Sequence, residues 1–432
     1  MTRLLALRLS SACFAAATLF AAGCAGTQHT TTTASVVEHR RHVVGNEFDV
    51  VGRPDGQGDA YDDTLLFERA NAAVQTHRCD AALTDYDLLV SHFPTSRLIQ
   101  STQYNRGVCL QSMGRSDEAV QAFRASAATP RDAALVRDAW FRVAVIGEST
   151  SHPPLVIEAT DAVLAMPNGA LVDRVEAYAR QAAARLAMND RPGATHAAEQ
   201  AVGLAPTAEA VSALQDDTYI AEAKFVIAES TRQDAADTAI RVEDPNLEVA
   251  IERRVQLVVH AHVQFNEAIR VGNPHWAAAC GFSIGQMYRS LYDAIVNAPV
   301  PADWDEHAIG IYRQRTAQRL RPLLQGALRA WEATLDMARR NGISDNDWAR
   351  RTDAQIGDLR SMILNNGVPP AHSQSSSSPP PAESSVAPDT VATASNAPAG
   401  NAQNAVSGPS SSPAGTETHT RVSTRSTPHA GH

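Results

Sequence analysis

The side chains best suited to metal chemistry are two histidines on a segment with helical periodicity. His260 and His262 lie two positions apart, which on a helix points them about 200° away from each other, whereas zinc-binding pairs on helices lie four positions apart. The sequence has no GxSxG, P-loop or HExxH motif, and its acidic residues are spread along helix surfaces. We therefore predict no metal, no cofactor and no catalytic site, with His262 as a hydrogen-bonded core residue.

A second chemical feature is the cysteine that ends an apolar N-terminal stretch. Arg3 and Arg8 precede a short apolar run that closes on the letters AAGC at Cys24, the layout of a secretory signal too short to span a bilayer. This ending resembles the bacterial lipobox, in which the cysteine is acylated and becomes the new N-terminus. The resemblance implies that residues 1–23 are removed and that Cys24 carries a lipid anchor. The alternative is a plain signal peptide with an incidental cysteine.

The acidic balance of the chain restricts its partners. The formal net charge is −10 at pH 7, and loss of residues 1–23, which contain two arginines and no acidic residue, brings it to about −12. Such a surface disfavours nucleic acid and is repelled by anionic lipid headgroups. Membrane attachment would therefore have to come from acyl chains.

Helical periodicity fills the middle of the chain, between two polar ends. Residues 24–61 are polar and partly Gly-rich and are predicted to form a flexible tether. Residues 367–432 are rich in Ser, Pro, Ala and Thr and are predicted to be disordered, because they cannot bury enough apolar surface to offset chain entropy. Between them apolar residues recur every three or four positions, which predicts helices throughout. We expect a repeat array over 62–207 and longer helices over 208–366.

An internal repeat organises the first helices. A small residue, a second small residue 12 positions on and an aromatic 4 further on occur at Ala70, Ala82 and Tyr86, and the pattern returns 37 residues later. The spacing resembles the tetratricopeptide repeat (TPR), a helix–turn–helix unit, in which small residues let two helices approach and the aromatic fills the gap. Gly114 falls at the predicted turn, and two weaker units follow as far as Pro206. The predicted fold is an all-α, TPR-like α-solenoid of antiparallel helix pairs, followed by longer C-terminal helices.

The lipobox, the tether and the divergent repeats together resemble the TPR lipoproteins of the Gram-negative outer membrane, including the adventurous-gliding-motility type. The residues that carry this resemblance are 79–94, 104–109, 276–288 and 298–301. The resemblance implies a non-enzymatic, lipid-anchored scaffold on the periplasmic face of the outer membrane. Its partners would be periplasmic or outer-membrane proteins. Ala25, directly after the lipidated cysteine, favours the outer over the inner membrane.

By analogy with TPR positions, six side chains on the first helices of the repeats would form the inner wall of the array. Their mix of aromatic and amide groups suits an extended or helical peptide segment of a partner. The alternative is that some of them serve ordinary packing between helices. The six residues are Phe67, Asn71, Tyr104, Val108, Gln111 and Phe141.

The TPR register also places Cys79 and Cys109 on helices that pack together. Because an exported protein meets an oxidising compartment, this neighbourhood predicts a disulfide between them. The alternative is that both are small, buried apolar side chains.

Two classes of function follow from these observations. The first is a scaffold that holds protein partners in an envelope assembly for motility, secretion or outer-membrane biogenesis. The second is a solute- or glycan-binding lipoprotein with a pocket between the C-terminal helices, although aromatic residues at helical spacing also suit core packing. A hydrolase would need a convergent polar site that the sequence does not locate. The aromatic residues that could line the pocket are Trp276, Tyr288, Tyr292 and Trp304.

Overall fold

The computed structural model describes residues 49–52, 58–214 and 217–365, and within them fourteen helices and one two-stranded hairpin. The expected all-α solenoid is confirmed, with the hairpin as an addition. Cys24, the predicted signal peptide and the predicted C-terminal tail lie outside the described residues. The elements are β1 Asp49–Gly52, β2 Gly58–Tyr61, α1 Asp63–Gln75, α2 Cys79–His92, α3 Ile99–Ser112, α4 Ser116–Ala127, α5 Ala133–Ser149, α6 Pro153–Leu164, α7 Leu171–Ala187, α8 Arg191–Leu204, α9 Ala208–Ala213, α10 Thr218–Asp237, α11 Leu247–Ile269, α12 Pro274–Val296, α13 Glu306–Arg340 and α14 Asp347–Leu364.

The hairpin lies in the last part of the segment predicted to be a tether. β1 pairs antiparallel with β2, so that Asp49 faces Tyr61 and Gly52 faces Gly58. The Tyr61 ring packs against apolar side chains of α1 and α2, and the Arg69 guanidinium lies 5.1 Å from its centroid. The aromatic and cation–π contacts dock the hairpin on α1. Two strands of four residues are too short for an alternating pattern to reveal them in the sequence.

Successive helices pack as antiparallel pairs, α1 with α2, α3 with α4, α5 with α6 and α7 with α8. The small residues of the repeat lie where the two helices of a pair approach, and Ala70, Ala82 and Ala119 are fully buried. A β-carbon at Gly107 would lie 2.7 Å from the ring of Phe123. Glycine at this position therefore permits the close approach of α3 and α4 that the repeat pattern predicts.

The same turn joins the two helices of every pair. His77, Gly114, Ser151 and Asn189 all have positive φ angles, of 57°, 73°, 51° and 61°, and they follow one another at steps of 37, 37 and 38 residues. In each case the next residue donates its N–H to the carbonyl five positions earlier, as in a Schellman C-cap. This recurrence extends the repeat to the third and fourth pairs, where the side-chain pattern is weak.

The longer helices α10 to α14 share one apolar core. Val258 and Phe265 of α11 are buried in this core. The Trp331 indole N–H donates to the carbonyl of Phe282 at 3.0 Å. A β-carbon at Gly285 would lie 2.0 Å from the same indole nitrogen. The contact between α12 and α13 is therefore too close to admit a side chain at this position.

Candidate functional site

The six residues predicted for the inner wall all lie on the first helices of the pairs, and each is half-buried. Three of them, Phe67, Tyr104 and Phe141, are 37 residues apart along the sequence. They hold the same repeat position on α1, α3 and α5. We call the surface formed by the six residues the helix-A face.

The aromatic side chains of this face also pack against the second helices. The Phe67 ring lies 6.4 Å from the ring of Tyr86, and the Tyr104 ring meets Phe123 edge-on at 5.5 Å. In the third pair Thr160 holds the position of Tyr86 and Phe123. One side of each ring therefore packs between helices while the rest reaches the surface, so Phe67 and Tyr104 have the packing role left open by the sequence, and partner binding stays a prediction.

Asn71 is held by its neighbours. Its side-chain oxygen accepts hydrogen bonds from the Tyr86 hydroxyl at 2.6 Å and from the Asn105 amide at 3.1 Å. Burial of Tyr86 raises the pKa of its hydroxyl, so that group stays protonated and remains a donor. The Asn71 oxygen thus links the first pair to the second, which is the packing role left open by the sequence.

The 37-residue step also identifies a residue of this surface that sequence reasoning missed. In the third pair the position of Gln111 is held by Glu148, near the end of α5. Nη1 of Arg180, on α7, donates to both Glu148 carboxylate oxygens at 2.6 Å. The repeat spacing alone could have identified Glu148, but its pairing with Arg180 is visible only in the structure.

Arg180 lies at the centre of a cluster of buried polar side chains. Its Nε donates to Glu176 at 2.9 Å and its Nη2 to the Tyr219 hydroxyl at 2.9 Å, and that hydroxyl donates in turn to Glu176 at 2.8 Å. Glu222 of α10 is only 5% exposed and interacts electrostatically with the same charges. We call these four residues, together with Glu148, the Arg180 cluster. It places three carboxyl groups around one guanidinium.

One guanidinium cannot neutralise three carboxyls, and burial decides which of them is protonated. Burial raises the pKa of Glu222 to about 8, with Glu148 adding to the rise and Arg180 opposing it. Burial also raises the pKa of Glu176 above its ordinary value, against the attraction of Arg180. Burial opposes the charge of Arg180, but the surrounding Glu148, Tyr219 and Glu176 raise its pKa. At pH 7 we therefore expect a charged Arg180 and a neutral Glu222.

The raised pKa of Glu222 makes stability depend on pH. Between its ordinary value of 4.5 and about 8, the folded chain holds one more proton than the unfolded chain. The stabilisation that Glu222 contributes by holding this proton is therefore fully present below pH 4.5 and is lost as the pH rises toward about 8. From pH 5 to pH 8 Glu222 alone should lower the free energy of unfolding by about 3–4 kcal/mol. Glu222→Gln should flatten this dependence, measured by urea unfolding at pH 5, 6.5 and 8.

Glu158→Gln is the matched control for this change, because the Glu158 side chain is 45% exposed. Its pH profile should follow that of the unaltered chain. If the free energy of unfolding depended on pH in the same way for the unaltered chain and for Glu222→Gln, Glu222 would not be the group that holds the extra proton of the folded chain.

Cys79 and Cys109 lie against each other between α2 and α3. Their thiols interact, and burial followed by this contact raises the pKa of Cys109. The Ser112 hydroxyl donates to the Cys79 sulfur at 3.4 Å. Both cysteines are free thiols in the structure. The adjacency required for a disulfide is present, and the bond itself stays a prediction.

Oxidation of this pair can be measured by counting thiols. In mature protein with an acylated Cys24, an oxidising compartment should leave Cys280 as the one thiol titratable after denaturation without reductant. Reduction of the bond should lower the free energy of unfolding by about 3 kcal/mol, because the bond closes a loop of roughly 30 residues. Three titratable thiols would rule the bond out.

The C-terminal aromatic residues proposed for a pocket lie in contacts between helices. Trp276 is 4% exposed and Tyr292 1%, and the Trp304 ring packs edge-on against a tyrosine of α13. The Tyr288 hydroxyl lies 3.2 Å from Nδ1 of His262, which is 7% exposed. The prediction of a hydrogen-bonded core histidine is thus confirmed. Trp276 and Tyr292 are core residues, Tyr288 and Trp304 are half-buried, and the pocket stays a prediction.

No protein-family model matches the chain. No curated protein matches it either. Within the described residues, no group of three or more His, Cys, Asp or Glu residues could hold a metal ion. None of the described helices is both long and apolar enough to cross a bilayer.

Proposed function

We propose that this protein is a non-enzymatic, lipid-anchored scaffold of a bacterial envelope that binds a segment of a partner protein on the helix-A face. The observation that carries the proposal is the aromatic row of Phe67, Tyr104 and Phe141, half-buried at one repeat position on three successive helices. Helix pairs that repeat a surface in this way can bind an extended or helical peptide along several repeats.

The packing of the aromatic row suits binding. The inward contacts of Phe67 and Tyr104 fix their rings, so little side-chain entropy is lost when a partner covers them. Gln111, also half-buried on this face, supplies an amide that can donate to and accept from a peptide backbone. An aromatic surface with few hydrogen-bonding groups favours partner segments with apolar side chains.

The anchor and the location form the second half of the proposal. The lipobox-like ending at Cys24 and the likeness to TPR lipoproteins support acylation and attachment to the periplasmic face of the outer membrane. The partners would then be periplasmic or outer-membrane proteins within a motility, secretion or outer-membrane biogenesis assembly. The acidic charge of the chain, −10 overall, supports an anchor of acyl chains, because lipid headgroups of the same sign would repel the protein.

Crosslinking inside the cell tests both halves together. Cells that produce the unaltered chain or Cys24→Ser are crosslinked and fractionated, and the adducts and the mature N-terminus are identified by mass spectrometry. We expect acylated protein in the outer-membrane fraction with envelope proteins crosslinked to it, and loss of that fraction for Cys24→Ser. An unmodified mature N-terminus would contradict the anchor, and adducts no different from those of an unrelated envelope lipoprotein would contradict the scaffold.

A further inference from the structure

Cys79 and Cys109 differ in how well solvent reaches each sulfur. Cys79 is the first residue of α2 and is half-buried, between the exposed Arg78 and Asp80. Its Sγ lies 3.4 Å from the hydroxyl of Ser112, which is itself exposed. Cys109 is 0% exposed and lies in the apolar core of the first repeats. A molecule arriving from solvent therefore meets the sulfur of Cys79 and not that of Cys109.

The same burial decides which thiol attacks first. The thiolate is the reactive form of cysteine, and burial, followed by the contact with Cys79, raises the pKa of Cys109. Cys109 thus holds its proton more firmly than an exposed thiol does. Once the Cys79 sulfur is part of a disulfide it can no longer carry a charge, so its share of this rise disappears. Cys109 is then easier to deprotonate and stands beside the sulfur that it must attack.

We propose that Cys79 is a thiol–disulfide exchange site, at which an incoming disulfide forms a mixed disulfide that Cys109 resolves from inside the fold. Adjacency alone predicts a bond between the two cysteines and leaves their roles equal. Their unequal exposure assigns the attack on the incoming molecule to Cys79 and the closing step to Cys109. The inference does not depend on partner binding at the helix-A face.

Two exchange steps account for all the atoms and electrons. The Cys79 thiolate attacks one sulfur of the incoming disulfide, whose S–S bond breaks, and one half leaves as a thiol with the proton that Cys79 lost. Cys109 then loses its proton and attacks Sγ of Cys79. The Cys79–Cys109 bond forms and the second half leaves as a thiol with that proton. Two cysteine thiols are oxidised and the incoming disulfide is reduced to two thiols, so no other oxidant is required.

Cys280 is the internal comparison for this site. It is 0% exposed and lies in the core of the C-terminal helices, where burial raises the pKa of its thiol. It lacks the exposed surroundings of Cys79, so it should stay unmodified while the chain is folded.

Oxidised glutathione tests the order of the two steps. Reduced mature protein and its Cys79→Ala, Cys109→Ala and Cys280→Ala variants are incubated with it, and peptide mass spectrometry locates the glutathione and the internal bond. The unaltered chain and Cys280→Ala should end with the Cys79–Cys109 bond and without glutathione. Cys109→Ala should keep glutathione on Cys79. In Cys79→Ala the modification of Cys109 should be at least about 100-fold slower, because it requires local opening of the fold.

A brief pulse of iodoacetamide on the reduced, unaltered chain makes the same comparison without a mutation, and Cys79 should be labelled first. In urea this difference between Cys79 and Cys109 should disappear. Circular dichroism checks that the alanine variants are folded. Similar rates at the two cysteines of the folded chain would overturn the proposal, as would a Cys109→Ala variant without glutathione on Cys79. Glutathione that stays on Cys79 of the unaltered chain would overturn the resolving role of Cys109.

Discussion

Replacing Arg180 with methionine is expected to lower the free energy of unfolding by about 3–5 kcal/mol, because it leaves buried carboxylates without their cation. The Arg180 side chain is 13% exposed and Glu148 9%, so water cannot take the place of the guanidinium. The loss should be larger at pH 8 than at pH 5, because a protonated carboxyl needs no counter-charge. Urea unfolding at the two pH values measures both effects.

Arg124→Met is the matched control for this result. Arg124 also pairs with a glutamate one repeat away, Glu158, at 2.9 Å, but the two side chains are 34% and 45% exposed. An exposed ion pair contributes at most about 1 kcal/mol, so this variant should be close to the unaltered chain. Equal losses for the two variants would show that the burial of the Arg180 cluster has no energetic consequence.

Gly285→Ala is expected to lower the free energy of unfolding by about 3 kcal/mol, although alanine is the better helix former. The new β-carbon would lie 2.0 Å from the Trp331 indole nitrogen and 2.4 Å from its Cδ1. Trp331 is fully buried, and its N–H is bonded to the Phe282 carbonyl at 3.0 Å. The ring cannot move away without losing that bond and opening the core between α12 and α13.

Gly310→Ala, at another helical glycine, is expected to change the free energy of unfolding in the opposite direction. Within the described residues, a β-carbon at Gly310 meets no atom within 4 Å, so alanine should raise the free energy of unfolding by about 0.5–1 kcal/mol. Thermal unfolding should therefore show a midpoint several degrees lower for Gly285→Ala and slightly higher for Gly310→Ala. A gain in stability at both positions would contradict the packing of α12 against α13.

The helical repeat could be predicted because close packing restricts the size of side chains at fixed positions. Ala70, Ala82 and Tyr86 showed the pattern, and the structure explains it by the approach of paired helices. The third pair obscured the pattern because Val156 stands where alanine is expected. There a β-carbon at Gly147 would lie 2.9 Å from the Val156 side chain, so glycine makes room for the larger residue. A larger side chain at one position is compensated by a smaller one at the other, and this compensation cannot be recognised from either residue alone.

The Arg180 cluster could not be predicted, for a different physical reason. Glutamates on a helix have the same spacing whether they face solvent or another helix, and those of the cluster come from α5, α7 and α10. Only the packing of the three helices shows that Glu222 is buried and that Glu148 and Glu176 share one guanidinium. The aromatic row was expected by analogy with TPR positions, and its members lie one repeat length apart.

A photo-crosslinking amino acid placed at single positions shows whether the helix-A face binds a partner. Tyr104 lies on that face, and Thr84 is exposed on α2, so replacing each in turn compares the face with a surface outside it. Irradiated cells should give an adduct to one envelope protein, through a defined peptide, from position 104 and not from position 84. No adduct from position 104, or the same adducts from both positions, would show that the helix-A face does not bind the partner.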